Sequence, residues 1–389
     1  MAADLMQHIF AAVRTESGVA AFLLTIIGFP LLAMATYRWS PAAKGSGIPQ
    51  VIAARRHTDV ATRLKLIGLK TTAWKVLATI LGLGVGAAVG REGPTVQVGA
   101  SIMYVLGLGA GLRRPQGLVL AGAAAGIAAA FNTPLAGIMF AIEEMAKSYE
   151  KRISGLLIAA VVIAGAVSIS LLGNYRYFGE SVVTAGFVTA LVWSVICGLV
   201  CGLAGAIFSF SVVQLGRLTT RATHQWPNRR RWIFRIAFPA LCGLVVAVAG
   251  LMTDGYANGT GYEETRTALT LGSTMPWFHG LWKLLATLAS SVSGIPGGLF
   301  APSLSVGAGL GAGLAQLMGA VDVRAVMLLG MAAYFAAVVQ SPLTAFVIVT
   351  EMSVSNQLLV PLLSATFIAT GVSRLIMREP LYHALSRQY

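Results

Sequence analysis

The sequence predicts an all-α protein that crosses a membrane many times, on three observations. The 389-residue chain is 56% hydrophobic and only 11% charged, well outside the usage of soluble domains. Its charged residues leave long neutral windows at 17–37, 93–112, 115–142, 153–175, 181–216, 284–321, 325–350 and 352–373. A spanning helix needs roughly 20 apolar residues. Several windows are longer than that and contain Gly or Pro, so they hold two segments or a broken helix. Finally, the two-residue alternation of a membrane barrel is absent, and open strands cannot satisfy their backbone groups in lipid.

Charge sets the orientation. The net charge is +14, from 28 basic and 14 acidic residues. In a soluble chain such an excess points to nucleic acid. In an apolar chain basic residues mark the cytoplasmic loops, so no nucleic-acid partner is expected and the lipid bilayer is. Two runs fit: Arg55, Arg56, Arg63 and Lys65, and then Arg217, Arg221, Arg229, Arg230, Arg231 and Arg235. The acid-enriched loop with Asp254, Glu263 and Glu264 is expected outside. The start shows no signal-peptide cleavage pattern. Cys197, Cys201 and Cys242 all fall in apolar windows, as packing residues do. The five histidines, His8, His57, His224, His279 and His383, lack metal-ligand spacing, and no serine sits in an elbow motif. An intramembrane enzyme is the remote alternative. No cofactor or metal is expected.

The chain repeats itself. GREGPTVQVGA (90–100) and GLFAPSLSVGA (298–308) share Gly, Pro and the ending Val-Gly-Ala at an offset of 208. At the same offset GAAAGIAAAFNTPL (122–135) lines up with GMAAYFAAVVQSPL (330–343), and Glu143 with Glu351. Internal repeats with interrupted helices are the mark of secondary transporters, whose sites form between the repeats. The expected organisation is one transport domain over 1–389, with a first half of about 1–175 and a second of 183–389. A second copy of SGIP, at 46–49 and 293–296, breaks the offset and is read as local: two Gly/Pro turns opening short helices. Gly82, Gly86 and Gly90 recur every four residues and are read as one helix face where backbones approach closely.

Three stretches carry the candidate chemistry: GSGIP (45–49), GREGP (90–94) and GGLFAP (297–302). Each reads as a turn before an apolar helix. The first N–H groups of such a helix lack an intrahelical partner and lie at its positive dipole end. Several starts converging in the membrane make an anion cradle without a full positive charge, suited to an ion that must also leave. The plainer alternative is an ordinary set of helix breaks in a bundle. Glu92 stands out, because the other repeat has Phe300 at its position. An intramembrane carboxylate is costly and marks function. In the cradle it acts as a tethered anion, and a free anion beside it favours its protonation, so one side chain couples two ions. The alternative is a structural Glu92 paired with Arg91. Glu143 has its mate in Glu351, whereas Glu144 faces Met352 and is unique to one repeat. Glu144 suits a proton relay, and it equally suits a solvated helix end.

At these residues the sequence resembles the CLC family of chloride channels and chloride/proton antiporters. GSGIP, GREGPTVQ, GAAAGIAAAFNTPLAG followed by EE, GGLFAP and the terminal EPLYHAL (379–385) resemble its signature stretches in order, from about residue 20 to 385. The resemblance implies a fold of two inverted, antiparallel halves and a homodimer with one pore per subunit. It further implies a place in a bacterial inner membrane and no regulatory C-terminal domains. Ser46 and Tyr382 would coordinate the anion through hydroxyls, and the N–H groups of Leu299 and Phe300 would complete the site. Glu92 would be the external gate and proton acceptor, and Glu144 the internal proton-transfer residue. Glu144 favours chloride/proton exchange over the passive chloride channel, which is the alternative. Ser46 favours chloride over nitrate, and the fluoride branch departs at both serine and tyrosine. The sequence itself departs at Gln50 and Ile52, where relatives offer acids. Lys75 would thereby lose its partner and is expected to be water-accessible, with Glu143 or Glu144 as the alternative partner. The segment before residue 17 resembles the tail of the family's first long helix.

Overall fold

The computed structural model describes residues 2–112, 116–146, 151–173, 177–179, 183–225, 227–272, 275–353 and 356–389. In chain order the helices are α1 (Ala2–Glu16), α2 (Gly18–Trp39), α3 (Ile48–Arg56), α4 (Val60–Ile67), α5 (Leu69–Gly84), α6 (Glu92–Gly109), α7 (Gln116–Phe131), α8 (Pro134–Phe140) and α9 (Lys151–Leu172). They continue with α10 (Phe187–Gln225), α11 (Asn228–Met252), α12 (Tyr262–Leu271), α13 (His279–Val292), α14 (Phe300–Met318), α15 (Val323–Val339), α16 (Pro342–Ser353), α17 (Leu359–Ile376) and α18 (Leu381–Ser386). Between α8 and α9 the turn Ala141–Ala146 is π-helical. Among the described residues, five helical stretches are long and apolar enough to cross a membrane, and four shorter apolar helices accompany them. The longest of the five, Phe187–Ala222, has 36 residues. At about 1.5 Å per residue it runs about 54 Å, well beyond a hydrocarbon core of ~30 Å, so it must tilt or project.

The centre is built from helices that are apolar all round. Every residue of α15 from Ala325 to Val339 is buried, as are most of α14. Such helices belong inside other helices. They pack through glycine: a Cβ on Gly99 of α6 would strike the Gly122 carbonyl of α7, and one on Gly307 of α14 would strike the Gly330 carbonyl of α15. Both pairs obey the offset of 208. Small residues let these backbones touch where a side chain would force them apart.

The offset recurs in polar contacts. The Gly90 and Gly298 N–H groups donate to each other's carbonyls, both at 2.7 Å. Glu143 accepts from the Leu343 and Thr344 N–H groups at the start of α16, at 3.2 and 2.7 Å. Glu351, its mate, accepts from Leu135 and Ala136 at the start of α8, also at 3.2 and 2.7 Å. Each carboxylate caps the other repeat's helix, satisfying N–H groups that the helix itself leaves open. Glu143 is therefore a structural cap.

Four readings change. Gly82, Gly86 and Gly90 do not share a helix face: α5 ends at Gly84, Gly86 sits at φ +81°, and Gly90 bridges to Gly298. The left-handed turn at Gly86 stops the helix before the period can continue. The two SGIP copies are not independent helix starts. The first opens α3, but the second begins as the turn that ends α13 and then pairs with the segment before α3, Gly45 N donating to Ile295 O at 3.2 Å and Gly297 N to Gly45 O at 3.1 Å. Lys75 is fully buried rather than water-accessible, and its Nζ donates to Gly45 O at 2.9 Å. Neither Glu143 nor Glu144 partners it. Gln50, in place of an acid, folds back to accept from Gly47 N at 3.0 Å and donates to Ala42 O, Lys44 O and the Tyr389 hydroxyl. Finally, the direct ion pair of Arg91 is with Asp4 of α1 at 2.7 Å, while Glu92 stays within its electrostatic reach without a direct contact.

Lys75 has a mate in Lys283 of α13, again 208 residues on. Lys283 is buried and donates to the carbonyls of Ala257, Asn258 and Gly259 at 3.0, 2.9 and 3.0 Å. Each lysine thus ties down a glycine-rich loop that precedes a helix start, α3 in one repeat and α12 in the other.

Candidate functional site

Three helix starts meet at the middle of the molecule, and they are the three marked in the sequence: α3 after GSG, α6 at Glu92 and α14 after GGL. Their approach is close because glycine lines it. A Cβ on Gly93 would lie 2.6 Å from Ser46 Oγ and 3.1 Å from Gly298 Cα. Gly47, at φ +108°, adopts a conformation closed to L side chains and also has no room for one.

Glu92 is fully buried. Its carboxylate crosses to the other repeat: Ala301 N, in the first turn of α14, donates to Oε2 at 3.4 Å. The Tyr177 hydroxyl donates to Oε1, also at 3.4 Å. Both bonds are long. They hold the carboxylate at a positive helix end with no direct ion pair, Arg91 acting on it only through space, which leaves it free to let go. Leu299 and Phe300, at the same helix start, have N–H groups without an intrahelical acceptor.

Ser46 and Tyr382 lie beneath this point, the serine nearly and the tyrosine fully buried. Neither hydroxyl has a hydrogen-bond partner in the protein, although the two are close enough to interact. Two buried donors without acceptors are costly unless something accepts from them. The Tyr382 ring stacks on Phe300, centroids 6.1 Å apart, and its hydroxyl lies within electrostatic reach of both Glu92 and Glu144. The structure thus brings together Ser46, Glu92, Leu299, Phe300 and Tyr382, and places Glu144 behind the tyrosine.

Glu144 is buried in the π-helical turn, which excludes a solvated helix end. Ser341 Oγ donates to its Oε2 at 2.8 Å. A π-turn inside a helical run is rare and concentrates at functional sites.

Aromatic rings fill the space between the two carboxylates. Tyr177 packs on Phe131 at 5.3 Å, Phe131 on Phe300 at 6.0 Å, and Phe300 also on Phe140 and Phe335 at 5.6 and 4.7 Å. On the other side, Tyr177 meets Tyr262 at 4.5 Å. Tyr262 and Arg91 line a cavity of about 190 Å³ roofed by α1 through Asp4, Gln7 and Phe10. Sequence reasoning missed Tyr177, Phe131 and Ser341. Phe131 and Ser341 sit inside the repeated Gly/Ala stretches, but nothing local marks Tyr177.

Residues 27–374 match the model of the family described as voltage gated chloride channel. The H(+)/Cl(-) exchange transporter ClcA of Yersinia pseudotuberculosis serotype IB (strain PB1/+) is 31% identical over 390 residues, covering 95% of this chain and 79% of that protein. The crystal structure of a slow cyanobacterial Cl⁻/H⁺ antiporter superposes with a TM-score of 0.83 at 23% identity, over 100% of this chain and 92% of the other. A CLC-type fluoride/proton antiporter superposes at 0.77 and 23% identity, over 96% and 92%. At such identities the two structures establish the fold. With the family model spanning most of its length, this multi-pass membrane protein belongs to the voltage gated chloride channel, or CLC, family.

Proposed function

We propose that the chain exchanges chloride for protons through a pore in each subunit. The observation that carries this reading is the placing of two buried carboxylates either side of Tyr382, one of them held loosely at a helix start. In this reading Ser46 and Tyr382 donate their hydroxyls to chloride, and the N–H groups of Leu299 and Phe300 supply the helix-end charge. Glu92 is a tethered anion competing for the same positive end. When chloride takes its place, the displaced carboxylate is favoured to bind a proton. Glu144 lies off the anion path and delivers protons from the opposite side. The aromatic packing keeps the two carboxylates apart, so a proton crosses only when the site rearranges.

The exchange transporter named above, at 31% identity, supports this reading over a passive channel. Ser46 and Tyr382 support chloride over fluoride, because the fluoride branch departs from the family pattern at both positions. A homodimer in a bilayer is part of the same proposal, and the many exposed large apolar side chains on α9, α10 and α17 suit lipid or a second copy. The test is a chloride gradient across proteoliposomes with internal pH followed. Uphill proton movement is expected. Chloride flux without it would make the protein a channel.

A further inference from the structure

The geometry points to His383 as the relay through which protons reach Glu144, with Arg56 controlling entry. This rests on the exchange reading above and adds a residue to it.

His383 follows Tyr382 on α18 and is almost wholly buried. Both ring nitrogens are engaged. Arg56 Nη2 lies 2.8 Å from Nδ1, and Nε2 lies 2.8 Å from the carbonyl oxygen of Glu144. A guanidinium only donates and a carbonyl only accepts. Nδ1 must therefore carry the lone pair and Nε2 the proton, so the partners define a neutral ring of one tautomer. The same Nε2 is 4.0 Å from Oε1 of the Glu144 carboxylate. Ser341 donates to the other oxygen, Oε2.

Arg56 spans the remaining distance to solvent. It is exposed, and its Nη1 also donates to Ser386 Oγ at 3.1 Å. It belongs to the basic run on α3 that marks one side of the membrane. The ring therefore has one nitrogen against an exposed cation and an inner N–H beside the carboxylate. A second cation of α3 is near, since Arg55 donates to the carbonyl of Met145, the residue after Glu144. α15 carries only Arg324, in its first turn. Near α18 the described charged side chains of α10, Arg217 and Arg221, are exposed, and Glu379 pairs with Arg387 at 2.9 Å.

The transfer balances simply. Arg56 swings away and a water on that side gives a proton to Nδ1, leaving hydroxide in bulk solvent. The Nε2–H bond breaks as an O–H bond forms at Glu144 Oε1. The ring is neutral before and after, and exchange with water, a proton lost from Nδ1 and one gained at Nε2, restores the first tautomer. The adjacent guanidinium disfavours a lasting imidazolium, so the ring passes protons without storing one.

Proteoliposome assays of proton and chloride flux test this. His383→Gln keeps an amide donor near the Glu144 carbonyl but cannot relay. It is expected to lose about tenfold or more of proton flux while chloride flux falls much less, as for removal of a general acid–base group. In His383→Ala, added imidazole is expected to restore proton flux. Arg56→Gln removes the cation beside Nδ1, so the pH midpoint of proton transport on that side is expected to rise. Wild-type proton flux in His383→Gln, no imidazole rescue in a chloride-transporting His383→Ala, or an unmoved midpoint in Arg56→Gln would each overturn the relay. If the His383 variants do not fold, the Arg56 midpoint decides. Failure of the wild-type protein to move protons uphill would instead refute the exchange reading.

Discussion

Glu92 is held at the start of α14 by two bonds of 3.4 Å, weak enough for an anion to displace it. Glu92→Gln keeps the shape and removes the charge. Chloride flux is expected to persist, with proton coupling lost and the pH dependence of flux flattened. A mutant that still pumps protons against a gradient would show that coupling resides elsewhere. Glu144→Gln is expected to abolish proton transport with chloride still moving, again read in proteoliposomes. Ser46→Pro removes one of the two unpartnered hydroxyls and should turn preference from chloride toward nitrate in competition binding, since nitrate is larger and more weakly hydrated. Glu92 and Glu144 were legible because each is a charge in an apolar chain with an uncharged repeat mate. Tyr177 and Ser341 were not, because their bonds to those carboxylates join segments far apart in sequence, which only tertiary packing reveals. Lys75 was misread for a related reason. The search was for an acid, while the partner was a backbone carbonyl, which carries no sequence signature.

At the scale of elements, glycines and lysines organise the helix starts. The breaks before α3, α6 and α14 were visible as Gly/Pro stretches. The pairing of the two SGIP copies was not, because a break in the repeat offset hid two segments that meet in space. The lysines make this scale testable. Lys283→Met leaves three buried carbonyls without a donor, and Lys75→Met at most one. An unsatisfied buried acceptor costs about 1–3 kcal/mol, so thermal unfolding in detergent should show the larger loss for Lys283→Met. Equal losses would mean that water replaces the ammonium in the second repeat.

For the whole molecule, the offset of 208 fixes more than resemblance between halves. The Gly90–Gly298 pair, the two glutamate caps and the crossing of Glu92 to α14 are all bonds between repeats. Two fragments, one ending near residue 175 and one starting near 183, are accordingly expected to copurify when coexpressed. Recovery of either one alone in folded form would contradict this.

The exchanged caps also bear on how the protein is made. Glu143 and the start of α8 find their partners only on α16, about 200 residues later in the chain. At ribosomal rates of about 5–20 residues per second, the first repeat waits roughly 10–40 s in the bilayer with a carboxylate and a helix end unsatisfied. The newborn half is thus an intermediate that must be shielded, by lipid headgroups or an insertion chaperone, until its sibling arrives.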